Sequence, residues 1–162
     1  MEKGSIKLAD RVDMFIEKIN NLSEKDIIFL RRNFNKAFEV SDVNSKITFY
    51  KINVSDYQEE IWYFCACLLA YYKYKNQKYF IPIQDIIGAE YKKDSNTTLT
   101  KKFMDIAQIE KVDNIFIYKL GQLIKQLESK GYAVDVKELL LDMLIWEKPF
   151  VLKKWVGKVY NV

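Results

Sequence analysis

A chain of 162 residues with 49% apolar and 30% charged side chains has material for one compact unit or two small helical lobes, and is too apolar to stay disordered. The lack of histidine excludes His-based triads, His-ligated metal sites and the usual proton shuttle near neutral pH. The net charge of +4 is uneven: residues 1–60 hold ten Lys/Arg and eleven Asp/Glu, residues 61–162 sixteen and eleven, so the cationic excess lies in the C-terminal two-thirds.

The elements follow helical periods. Residues 6–20 predict a first helix with Val12, Phe15, Ile16 and Ile19 on one face. Ser23 is an N-cap for a second helix running to about Phe38, with Glu24 and Asp26 favouring its first turn. A break follows over 41–45. Residues 46–54 read either as a strand, from the alternation of Ile47 and Phe49, or as a short helix. Asp56 caps a long helix over 57–75 with Ile61, Phe64, Cys65, Leu68, Leu69 and Tyr72 as its apolar stripe; Ala66 and Ala70 permit close packing. Residues 79–82 form an extended connector to a short helix ending near Tyr91.

The polar run 92–98 is the best boundary between an N-terminal lobe, 1–94, and a C-terminal lobe, 95–162. The second lobe opens with a helix over 99–111. Asp113 caps the next, which ends with Gly131 just past its C-terminus. Asp135 and Glu138 are spaced as a capping-box variant for a helix through Trp146, and Pro149 opens a last helix reaching Tyr160. The expected fold is all-α, a helical bundle of eight or nine helices in two packed lobes. Scarce glycine (5) and proline (2) agree with that.

Cys65 and Cys67 lie about 200° apart on a helix, so they neither share a metal nor pair with each other. They read as small buried hydrophobes in a reducing compartment. The longest apolar run, 64–72, is too short to span a bilayer, and the polar start over 1–10 is no signal peptide, so a soluble, cytoplasmic protein is expected.

The cations are more informative by face than by number. On the second helix, Lys25, Arg32 and Lys36 fall opposite the Ile27, Leu30, Phe34 and Phe38 stripe, whereas Arg31 falls inside it, where burying its stem and pairing with a carboxylate is the expected role. On the last helix Lys153, Lys154 and Lys158 form the polar face. Lys101 and Lys102 precede Phe103, and Lys119 and Lys125 stand outside the Leu120, Leu123, Ile124 and Leu127 stripe. Each such face is either a solvated surface or a seat for backbone phosphates; if the fold aligns them, they bind nucleic acid without reading sequence. Tyr71, Tyr72 and Tyr74, interleaved with Lys73 and Lys75, either stack unpaired bases or form a half-buried cluster. Trp62, Phe64 and Trp155 read as core.

No Gly-rich phosphate loop, zinc-ligand cluster or nucleophile elbow is present, and the pairs Asp10/Asp13 and Glu59/Glu60 have spacings common on helix surfaces. An enzyme is not expected, nor any cofactor or metal ion.

The C-terminal third carries Val134-Asp135, Leu139-Leu140, Asp142-Met143-Leu144, Trp146, then Trp155 and Tyr160; Leu30-Arg31-Arg32, Phe49-Tyr50, the apolar helix over 60–70 and Lys101-Lys102-Phe103 precede them in order. Over about residues 23–162 this set resembles the small subunit of the type I-E CRISPR Cascade complex, the CasB family. The resemblance implies a non-enzymatic helical subunit of an RNA-guided DNA surveillance complex. Its partners would be the other Cascade subunits, a second copy of itself, guide RNA, and target DNA including the displaced single strand. No membrane is involved. Carried over by position, Arg31, Arg32, Lys101, Lys102 and Lys119 are the implied contacts; Lys36, Lys125 and Lys154 join them from the face analysis. Asp142, Trp146, Trp155 and Tyr160 are read as structural, Asp142 pairing with a cation. Lysine stands where the family mostly carries arginine, which keeps the charge and gives up the two-pronged phosphate grip. The rival readings are a stand-alone helical DNA-binding regulator, which would need polar base-reading residues at the start of a recognition helix, and a helical protein–protein adaptor.

Overall fold

The structure, a computed structural model, describes residues 7–94 and 97–160. Among them are nine α-helices and one 3-10 turn; the only β-pairing is an isolated parallel bridge between Ile81 and Val134. None of these helices is long and apolar enough to cross a membrane.

Helix α1 spans Leu8–Asn20; Ile6, its expected first residue, lies outside the described residues. Helix α2, Glu24–Arg31, begins as expected: the Ser23 hydroxyl accepts the Asp26 N–H at 3.1 Å. It ends well short of Phe38. Asn33 turns its amide to Phe29 O (2.9 Å) and to the Asp42 carboxylate (2.9 Å), and Asn35 takes a left-handed φ of 68°. Asparagine side chains that bond to nearby backbone compete with the helix in this way. Phe38 falls in the 3-10 turn Phe38–Val40.

The ambiguous stretch is helical: α3 spans Val43–Ile52, and the Asp42 carboxylate caps it by accepting the Ser45 N–H. Helix α4, Glu59–Tyr74, begins later than expected. Gln58, at φ 59°, holds the N-cap position in place of Asp56, because Asn53 and Ser55 accept the N–H groups of Ser55 and Tyr57 and turn the chain first. Helix α5 is Ile83–Lys93 and α6 is Thr98–Ala107, the latter stopping before the expected Lys111. Helix α7, Asn114–Ser129, is capped by Asp113 and closed at Gly131 (φ 90°), where the N–H groups of Gly131 and Tyr132 bond back to Glu128 and Leu127. Helix α8, Val136–Leu144, is capped by Asp135, but the Glu138 carboxylate is taken by Gln84 Nε2 at 2.8 Å, so only half of the capping box forms, and the helix ends before Trp146. Helix α9 is Pro149–Tyr160, as expected.

Helix α4 is the axis. Ile61, Trp62, Tyr63, Phe64, Cys65, Ala66, Cys67, Leu68, Ala70 and Tyr72 are all buried, covering its whole circumference, as in a helix at the centre of a bundle. Both cysteines are free thiols. Helices α1, α2, α7 and α8 pack around α4, while α5, α6 and α9 pack on one another. One hydrophobic core runs from Val12 through Trp62 to Val159, crossing the polar run at residues 92–98, of which 95–96 lie outside the described residues. Trp146 and Trp155 sit edge to face at 4.9 Å within it; Tyr160 is exposed and meets Tyr91 of α5 at 4.9 Å.

Candidate nucleic-acid interface

The early end of α2 redraws the first basic face. Lys25 and Arg32 both lie over the Phe29 ring, at 5.8 and 5.5 Å, but Lys36 is carried by the turn and leaves the helical stripe it was expected to share with them. Arg32 and Lys36 are exposed, and their charge helps hold the Asp42 carboxyl below its ordinary range, after the hydrogen bonds from Asn33 and Ser45.

Among the described residues Arg31 pairs with no carboxylate. Its guanidinium stacks on Tyr74 at 4.0 Å, and its Nε is buried without a hydrogen-bond partner. The acid on this side, Glu128, is engaged by the Tyr71 hydroxyl. Burial, then that carboxylate, pushes the Tyr71 hydroxyl up to about 12, so it stays a donor at neutral pH. Tyr71 also stacks on Phe34 at 5.5 Å, and Lys125 of α7 lies over the same Phe34 ring at 5.8 Å. Lys75, at the C-terminal end of α4, lies over Tyr71 at 5.8 Å. Three cations from α2, α4 and α7 thus rest on three neighbouring rings, each worth roughly 0.5–1 kcal/mol at an exposed site. Of the tyrosine cluster, Tyr72 is buried core, its hydroxyl accepting the Val134 N–H, and Tyr74 is exposed beneath Arg31.

The turn that carries Asn35 and Lys36 lies directly on α7. A β-carbon built on Gly121 would fall 2.0 Å from Asn35 Oδ1, so with any other residue there the Asn35 side chain would have to move. On α7, Lys125 lies over Phe34, and Lys119, six residues earlier, points about 120° away around the helix. Lys119, Gln122 and Tyr118 form one wall of a groove of about 230 Å³, and Lys102 and Asp105 of α6 form the other. Lys101 is exposed on α6 but does not line that groove. Among the described residues no carboxylate lies within 4.0 Å of the charged groups of Arg31, Arg32, Lys36, Lys75, Lys101, Lys102, Lys119 or Lys125.

Lys154 belongs elsewhere. Its ammonium donates to Asp142 at 2.8 Å, and the same buried carboxylate accepts the Trp155 indole N–H at 2.9 Å. Glu138 stands 4.0 Å away, and Lys158 is 3.7 Å from Asp85. The cationic face expected on the last helix is therefore largely spent on acids supplied by α5 and α8, which sequence spacing on α9 alone does not reveal.

The cations left without a carboxylate within 4.0 Å among the described residues include two groups: Arg31, Lys75 and Lys125 over the rings of Tyr74, Tyr71 and Phe34, and Lys102 and Lys119 on the two walls of the α6–α7 groove. Lysines deliver charge to phosphates without base information, and exposed rings accept any base. Sequence reasoning named Lys75 among the tyrosines but not as a contact residue, since its position depends on where α4 ends, and it passed over the Asn35–Gly121 contact. The only sequence sign of the latter is a glycine inside an amphipathic helical pattern. Comparison with known proteins finds no matching family model, no matching curated protein and no matching solved structure.

Proposed function

We propose that this chain is a non-catalytic helical subunit of an RNA-guided DNA surveillance complex, the small subunit of a type I-E Cascade. In this reading it holds nucleic acid by the backbone and braces its neighbours, a second copy among them. The observation that carries the reading is that segments far apart in sequence bring cations together in two groups, Arg31, Lys75 and Lys125 over aromatic rings and Lys102 with Lys119 across the α6–α7 groove, with no carboxylate within 4.0 Å of their charged groups among the described residues. Opening a DNA duplex against a guide RNA is nearly balanced in free energy, so contacts that ignore sequence are enough to tip it toward the open form. Surfaces that offer mostly lysine charge suit the displaced strand and the duplex backbone alike. The cytoplasm is where such a complex would work.

The test is the double substitution Lys102→Glu with Lys119→Glu. The expected outcome is an intact fold by circular dichroism, with at least tenfold weaker retention of single-stranded DNA, alone or in the assembled complex at low salt. Equal binding by the double variant and the wild type would sink the reading.

A further inference from the structure

We infer that the connector between α4 and α5 takes up an extended segment of a partner protein as an added β-strand, with Phe80 as the pairing residue. Residues 77–80 form neither helix nor turn, and Ile81 makes the parallel bridge: its N–H donates to Ala133 O at 3.0 Å and its carbonyl accepts the Asp135 N–H at 2.9 Å. In a parallel pair the main-chain groups of successive residues point to opposite edges. Those of Phe80 therefore point away from residues 133–135, and among the described residues neither its N–H nor its carbonyl has a hydrogen-bond partner. The side chains along this edge are apolar and uncovered, with Tyr79 at 86%, Phe80 at 44% and Ile81 at 39% exposure.

A pocket of about 520 Å³ opens beside the same edge. Ile16 of α1, Leu69 and Tyr72 of α4, Val136 of α8 and Phe80 itself line it, the Phe80 ring standing 5.6 Å from that of Tyr72. Side chains alternate along a strand, so a segment paired with Phe80 turns every second side chain to the pocket side. Free main-chain groups give such an added strand its affinity, and a pocket for alternate side chains gives it specificity. Charge selects nothing at this pocket, because its ions are of both signs and already engaged. Lys137 is 2.7 Å from Asp13, Lys73 donates to the Asn20 carbonyl, and Asp135 accepts the Glu138 N–H.

The unpaired N–H and carbonyl of Phe80 commit the site to an extended main chain. A helix has already bonded its own main-chain groups and has none to offer along its length. A second copy paired about a two-fold axis at Phe80 would set Lys78 against Pro82, which has no N–H, and α5 follows at once from Ile83. A nucleic acid would bring its phosphates to a pocket lined by two carboxylates, Asp13 and Asp135. The inference is independent of the cation groups and of the proposed function.

The probes are two nine-residue peptides of alternating valine and serine, identical except that one is N-methylated along its centre, read by fluorescence anisotropy. Methylation keeps the side chains and removes the main-chain donors. The plain peptide is expected to bind the wild type at least tenfold more tightly than its methylated twin does. Phe80→Ala and Phe80→Pro both remove the ring, and only proline removes the N–H. The plain peptide is expected to bind Phe80→Pro at least fivefold more weakly than Phe80→Ala, with thermal unfolding confirming that both variants fold; should proline prevent folding, the peptide pair on the wild type decides alone. The proposal is overturned by equal binding of the two peptides, by no binding at millimolar peptide, by equal binding to the two folded Phe80 variants, by wild-type dimers in sedimentation that the plain peptide dissolves, or by displacement of the peptide by oligothymidine.

Discussion

Asn35 and Gly121 touch where the turn after α2 lies across α7, so closely that a methyl group on Gly121 would fall 2.0 Å from Asn35 Oδ1. The contact joins two segments separated by more than eighty residues and sets the turn after α2 against α7.

Gly121→Ala is accordingly expected to destabilise the wild-type fold by about 1–3 kcal/mol through overpacking. On an Asn35→Gly background the same substitution is expected to stabilise by up to about 1 kcal/mol, since alanine is the better helix former once the obstructing side chain is gone. Glycine also suits the φ of 68° at position 35. Urea unfolding of the four proteins in the cycle reads the change of sign directly; the same sign on both backgrounds would mean that the turn does not rest on Gly121.

The cations divide into free and spent. Lys75→Ala and Lys125→Ala are each expected to reduce the salt dependence of single-stranded DNA binding, with the slope of log K against log salt falling by about 0.7 for each phosphate that the variant no longer neutralises. Lys154→Met, which removes a charge already held by Asp142 at 2.8 Å, is expected to leave the slope unchanged. A salt titration by anisotropy distinguishes the three.

Asp142 holds both Lys154 and the Trp155 indole, and is itself 4% exposed. Asp142→Ala strands a buried N–H and an ammonium, at an expected cost of about 2–4 kcal/mol. Asp142→Asn keeps one acceptor and is expected to cost less. Thermal unfolding, with the near-ultraviolet signal of the tryptophans as probe, tests the order of the two variants.

Glu90, like Asp42, is expected to contribute to acid sensitivity. Burial pushes its carboxyl up, but hydrogen bonds from Tyr132, Lys130 and Lys93 outweigh that and hold it below its ordinary 4.5. A carboxyl lowered in the folded state stabilises the protein fully above its unfolded value and loses that contribution as pH falls through the folded one. Glu90→Gln is thus expected to be destabilising at pH 7 and progressively less so below pH 4.5. A constant difference between variant and wild type from pH 7 to pH 3 would refute the assignment.

The helices were legible because each is written locally. Ser23, Asp113, Asp135, Pro149 and Gly131 mark helix ends by chemistry that acts within a few residues, and all five hold those positions in the structure. Two of the ends that differ from expectation, at Arg31 and Gln58, lie where side chains of Asn33, Asn53 and Ser55 capture backbone or neighbouring groups, a competition that propensity and period do not weigh.

What the sequence determined by itself is an all-α fold, most of its helix starts, and the presence of many lysines with no histidine beside them. Which lysines are free was decided only by tertiary structure. Lys154 and Lys125 look alike in sequence, each on the polar side of an amphipathic helix. Packing sets one against the buried carboxylate of Asp142 and the other over Phe34. A charge is neutralised by whatever the fold brings within a few ångströms of it, and that neighbour comes from another helix.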